Sequence, residues 1–389
     1  MKIESPHFGK ISSLCLAHLL NDWYMNYLQT MLPFLLAAGL GVSKGAFLIS
    51  AFMVTSSVVQ PFTGYLLDQK NQRWPVYVGT LWMAVLLSLV GVLKNYYVLA
   101  AVVALSGLGT ASFHPQASAM VTALSGDRKG FFLAFFITCG NVGWAMTPLI
   151  AIPVVQAYGL ETTPFFALPG IAVAILLWFT APKISPAKKA APSPIWSVLR
   201  ANWIELGKIV LVVTVRSLAF FGLAAFLPLY LKHLDVPLVT GGRMVFLMLF
   251  AGAAGGLIGG YLSDIFGRKV VIVWSQILST PLFFLFLHSS GIMSHVLLAL
   301  AGATLMASFS VTVVVAQEVI SRNAAMASGI MLGLGVGAGG LGVGLMGMVV
   351  ESAGIECGIG LLVCCPLLAG LLATGLKVGR APSVAPARG

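Results

Sequence analysis

Apolar residues gather into long runs separated by short polar breaks. Each run is close to the about 20 residues that a helix needs to cross the hydrocarbon core of a bilayer. Twelve such spans can be drawn, at 11–38, 44–67, 75–93, 96–124, 130–158, 161–182, 205–232, 240–262, 270–288, 292–320, 324–352 and 355–377. A membrane β-barrel would instead alternate over segments of about ten residues. The pattern therefore predicts an all-α integral membrane protein of twelve transmembrane helices. The first run carries Asn21 and Asp22 in its middle and is followed by others like it, so it reads as a retained span and not a cleaved leader.

The longest polar interruption is KISPAKKAAPSPIWSVLRANW, residues 183–203, rich in Pro, Ala and Lys. It divides the chain into an N-terminal half (1–182), a linker (183–204) and a C-terminal half (205–389), with six spans in each half. Twelve spans put both termini on one face of the membrane. Of the 22 Lys and Arg residues, all fall on that face except Lys44, Lys94, Lys232 and Arg243 on the other and Arg216 within a span. The bias of basic residues toward the cytoplasm places the termini and the linker there. Topology thus accounts for the net charge of +11, and nucleic acid is not an expected partner.

Composition agrees with the pattern. Only 8% of residues are charged, against about 25% in a typical soluble domain. The five cysteines lie in or at the edges of apolar spans without metal-ligand spacing, so they read as small packing residues. No metal and no cofactor are expected.

The chain also repeats itself. TGYLLDQKNQR (63–73) is echoed by GGYLSDIFGRK (259–269), which sets Asp68 and Asp264 196 positions apart. Ala111-Ser112-Phe113 matches Ala307-Ser308-Phe309 at the same offset, and MLPFLL (31–36) matches FLPLYL (226–231) at an offset of 195. Two halves of six spans each would insert in the same orientation. Parallel repeats of this kind place a binding site between them near the bilayer midplane.

The duplicated turn resembles the loop motif of the major facilitator superfamily. The second copy keeps Gly260, Asp264, Gly267, Arg268 and Lys269 but has Ile265 where a basic residue is usual. The first keeps Gly64, Asp68 and Arg73 and lacks the inner glycine. A narrower similarity, to the fosmidomycin-resistance type of drug exporter, rests on HLLND (18–22), SFHPQAS (112–118), Arg216-Ser217 with FLPLYL, and VTVVVAQE (311–318). That resemblance implies proton-driven export of small molecules across a bacterial inner membrane. It also implies that the loops with Asp68, Arg73, Asp264 and Arg268 latch neighbouring helices during gating; a tight turn that only fixes topology is the alternative. Two departures stand out. Span 4 has no arginine, and Gly140, Gly143 and Pro148 form only a reduced version of the antiporters' glycine–proline signature in span 5.

Ionisable groups inside spans are costly, roughly 2.5–3.5 kcal/mol at a helix centre, so they should face a cavity or a partner. Asp22 and Arg216 each lie twelfth in their span, at neighbouring pseudo-symmetric positions of the two halves. Asp22 is assigned as proton carrier and Arg216 as anchor for an anionic or polar substrate; a fixed ion pair between the halves is the competing reading. His18, one turn before Asp22, can relay the proton or simply hold a backbone bond. Asn26 and Gln29 continue that polar stripe. His114, before Pro115 in span 4, either contacts substrate or marks a structural kink. Asn141 can bond substrate or join helices. Trp23 and Tyr24 reach substrate or pack. Glu318 is either a second titratable site or a gate contact.

The expected function is proton-coupled export of a small polar or amphiphilic compound, anions included, by a monomer. Proton-coupled uptake of an organic anion and a non-transporting sensor are the alternatives. An enzyme is not expected, since no nucleophile–base or metal motif is present. The nine glycines of GIMLGLGVGAGGLGVGLMG (329–347) lack a strand–turn–helix context and suit close helix packing rather than nucleotide binding.

Overall fold

In lipid, backbone polar groups have no water to bond, so apolar runs of this length must satisfy themselves as helices. The computed structural model describes residues 7–60, 63, 72–125, 129–182, 195–320, 327 and 330–377, and among them there is no strand. Every expected span contains a helix. Among the described residues ten helical stretches, one of them jointed, are long and apolar enough to cross a membrane, and Val42–Ser57 of span 2 is a shorter apolar helix. Span 1 is the twelfth, and it is divided in two.

The divisions were not foreseen. Span 1 runs as Phe8–Met25 and Tyr27–Ala37, with Asn26 between them. Span 10 runs as Gly291–Ala307 and Phe309–Val319, with Ser308 at the joint. The interruption expected at Pro115 is absent, because the helix of span 4 continues from Tyr96 to Leu124. Span 7 begins at Ile195, inside the stretch read as linker, and runs unbroken to His233. Charged residues at 200 and 205 delay the apolar signal there but do not prevent a helix.

Turn chemistry sets several boundaries. Asn95 caps span 4, its side chain accepting from the backbone N–H groups of Tyr97 (2.9 Å) and Val98 (3.2 Å). Gly267 separates span 8 (Leu238–Phe266) from span 9 (Arg268–Leu287) at φ +92°, a left-handed conformation that glycine adopts without a steric penalty. This explains the glycine of the duplicated turn. Asp68 and Gly64, in the first copy, lie outside the described residues.

The N-terminal spans pack among themselves, as do the C-terminal ones. The two sets meet where span 2 lies along span 11 (Val336–Ala353), span 5 (Lys129–Tyr158) crosses span 8, and the second helix of span 1 touches span 7. Ser43 contacts Glu351 at the first of these seams, and Gly242 faces Ile152 at the second.

Candidate functional site

Span 1 approaches span 5 closely because two glycines remove the obstruction. A Cβ on Gly143 would meet the Leu19 carbonyl carbon at 2.7 Å. Two hydrogen bonds fasten the same seam, from Asn26 Nδ2 to the Trp144 carbonyl (2.9 Å) and from Thr147 Oγ1 to the Trp23 carbonyl (2.8 Å). Against this rigid pair lies the helix of span 4, and the three elements bring His18, Asp22 and His114 together.

Asp22 offers one carboxylate oxygen to each imidazole. His18 Nε2 is 3.4 Å from Oδ2, and His114 Nε2 is 3.0 Å from Oδ1. The second contact is close but poorly aligned, since neither of its atoms has a hydrogen bond of good geometry. His18 Nδ1 lies 2.6 Å from the Phe136 carbonyl, which can only accept, so Nδ1 carries a hydrogen. A neutral His18 would then turn a bare Nε2 lone pair toward a carboxylate that also only accepts. The contact is favourable only when an additional proton sits on one of the two groups. The His18–Asp22 contact therefore has the composition of a proton-holding site.

Side-chain exposure differs across the site. His114 is 22% exposed and Asp22 13%, whereas Arg216 is 2% exposed as a residue. One ligand atom from each of His18, Asp22 and His114, all within 4.8 Å of one another, is of a type that could hold a metal ion.

Arg216 does not pair with Asp22. Among the described residues no carboxylate lies within salt-bridge distance of its guanidinium, and Nε and Nη1 are buried without a hydrogen-bond partner. It lies instead over the ring of Phe309, 4.9 Å from the centroid, a cation–π contact. Equal depth along two helices says nothing about lateral distance, which is why the fixed ion pair looked admissible in the sequence. Phe309 was missed, although the repeat signalled it. Its counterpart Phe113 stands 6.2 Å from the His18 ring, so each half sets a phenylalanine beside an ionisable group.

The remaining candidates divide. Gln29 is fully buried, with both amide atoms unpartnered. Asn141 is half-buried, next to the glycine that faces the cluster, and no described residue bonds it. Asn26 spends its amide on the Trp144 carbonyl. Tyr24 donates to the Phe166 carbonyl at 2.5 Å, and Trp23 packs against Tyr24, Tyr27 and Phe166, so both occupy the interior of the N-terminal spans. Trp144 reaches across to the C-terminal spans and packs on Phe220 and Phe221.

Among the gating residues, Arg268 Nε donates to Glu318 at 2.7 Å and Nη1 lies 3.7 Å from Asp264. This joins the second loop motif to the end of span 10. Arg73 stands at the N-cap of span 3 (Trp74–Ser88), and Asp68 is outside the described residues. An exposed ion pair of this kind contributes about 0.2–1 kcal/mol. Glu318→Gln should accordingly change transport by less than about fivefold. A complete loss in a transport assay would show that Glu318 itself carries the mechanism.

Gly140 gives a larger expected effect. A Cβ there would meet His18 Cε1 and Nε2 at 2.6 and 2.7 Å, between buried groups with little room to yield. Overpacking costs about 1–3 kcal/mol, so Gly140→Ala should lower transport roughly tenfold or more at unchanged membrane abundance. Wild-type flux in that variant would mean that the spacing of His18 and Asp22 is unimportant.

The described residues thus form an all-helical membrane protein with a carboxylate–imidazole cluster and a buried guanidinium inside its spans. The sequence model of the Major Facilitator Superfamily matches residues 14–256, and the chain belongs to that superfamily. It is 30% identical over 375 residues to the fosmidomycin resistance protein of Escherichia coli (strain K12), covering 93% of this chain and 91% of that one. It is 28% identical over 355 residues to the MFS-type transporter YfnC of Bacillus subtilis (strain 168), covering 87% and 86%. Among solved structures, the fold is similar to a bacterial homologue of the human lysosomal transporter Spinster in an inward-facing, occupied conformation. The TM-score is 0.69 at 14% identity, with 94% of each chain covered.

Proposed function

We propose that this transporter exports a small polar or amphiphilic compound, anions included, in exchange for protons, by alternating access between its two six-span halves. The observation that carries the reading is the separation of charges: Asp22 is engaged by two imidazoles, while Arg216 has no carboxylate partner among the described residues. The Asp22 cluster holds the proton. Arg216 holds an anionic or strongly polar group of the substrate, with Gln29, Asn141 and His114 as further hydrogen-bonding groups. Cytoplasmic termini, a bacterial inner membrane and a monomeric unit complete the proposal. The positive-inside distribution supports the orientation.

Export, rather than uptake, is favoured by the similarity to a protein named for fosmidomycin resistance. The test compares a strain overexpressing the protein with its deletion across a panel of growth inhibitors. Overexpression should raise tolerance to a subset of polar compounds and lower their accumulation, and dissipating the proton gradient should erase the difference. Higher accumulation on overexpression would instead establish uptake. Equal tolerance to every compound would contradict export.

A further inference from the structure

Ser50, in the middle of span 2, touches the backbone of span 11 at an unusual place. Its hydroxyl accepts from the Gly344 N–H at 2.8 Å and lies 3.0 Å from the Gly340 carbonyl, to which it donates. These two backbone groups are four residues apart, the donor and acceptor that an α-helix joins to each other. The Leu341 carbonyl, at 3.2 Å, is a second acceptor within reach. Ser50 is thus seated on a helical rung of the other half, 3% exposed, between residues 290 or more positions away in the chain.

Glycine makes the seat possible. A Cβ on Gly340 would meet the Met53 side chain at 2.5 Å, and one on Gly344 would meet the Ser50 hydroxyl at 2.7 Å. The glycine run of span 11 is therefore fitted to one face of span 2. The seam continues to the rim, where Glu351 accepts from the hydroxyl and the backbone N–H of Ser43.

We infer that Ser50 is a switch contact that holds the two halves together at this seam and releases at low cost. A hydrogen bond broken inside a membrane normally leaves buried polar groups unpaired, each costing several kcal/mol in the hydrocarbon. Here neither helix is left in that state. When the seam opens, the Gly344 N–H and the Gly340 carbonyl retain each other, and the serine hydroxyl turns to a carbonyl one turn earlier in its own helix. Closing the seam exchanges the serine's local bond for bonds to the rung of span 11, which stays formed. Both arrangements satisfy their polar groups, which is the property required of a two-state element. This role rests on the alternating-access reading above.

The experiment uses the full chain in lipid nanodiscs, with its five cysteines replaced and spin labels at Lys44→Cys and Ser352→Cys, near the rim of the seam. Electron–electron distance measurement should give a short and a long population. A hydrogen bond contributes a net of about 1 kcal/mol, so Ser50→Ala should raise the long-to-short ratio about fivefold. Ser50→Thr, which keeps the hydroxyl, should restore the ratio, and the thermal stability of the alanine variant should stay near wild type. An unchanged ratio in a folded Ser50→Ala protein overturns the role of Ser50 while leaving alternating access standing. A single distance in the wild type under every condition contradicts alternating access itself, and the switch with it.

Discussion

Replacing Asp22 with asparagine is expected to reduce gradient-driven transport to the rate seen without a gradient. Asparagine has nearly the same shape and can still bond His114 and His18, but it can neither take up nor release a proton. The fold should survive, since among the described residues the cluster's side-chain hydrogen bond to the backbone belongs to His18 and not to Asp22. Downhill exchange of substrate should persist, because binding and movement of the halves need no titration at position 22 once the charge is gone. The check is accumulation of the exported compound in energised and de-energised cells, with membrane abundance measured alongside. Gradient-driven flux at wild-type rate in Asp22→Asn would remove Asp22 from the proton pathway.

Arg216→Gln should weaken anionic substrates selectively. A hydrogen bond to a charged group contributes about 1.5–3 kcal/mol, so binding of an anion should fall roughly 10- to 150-fold. Neutral or cationic compounds should lose much less. A conventional buried ion pair would behave differently, since removing one partner strands the other and destabilises the protein by about 3–5 kcal/mol. Among the described residues Arg216 has no carboxylate to strand and lies over the face of Phe309, so the variant should remain folded. Competition binding with anionic and cationic compounds of similar size separates the two cases. Equal losses for both charge types would mean that Arg216 supports helix packing and not the ligand.

Much of this architecture was legible because membranes impose long apolar runs. The twelve spans followed from run length, and the Asp22–His18 contact followed from helical period, since residues four apart share a face. His114 was noticed as an ionisable group in a span, but its approach to Asp22 joins residues 92 positions apart and depends on how span 4 packs against span 1. The joints at Asn26 and Ser308 carry no proline or glycine, so no local signal marked them. Pro115 did carry one, and the helix absorbed it. The separation of Arg216 from Asp22 was beyond reach for a geometric reason: pseudo-symmetry fixes depth along a helix but not lateral distance between helices. A single serine such as Ser50 is unremarkable in a sequence, and its meaning came only from the rung on which it sits.

The central claim is that the transporter exchanges protons for substrate, with Asp22 as the proton carrier. Its most direct measurement is made in proteoliposomes, using the compound to which overexpression confers the greatest resistance. Flux is followed under pH gradients of both signs for the wild type and Asp22→Asn. The account predicts that wild-type accumulation reverses with the sign of the gradient, while Asp22→Asn equilibrates the compound without responding to pH. A wild-type flux indifferent to the gradient, or an Asp22→Asn flux that still follows it, would contradict the claim.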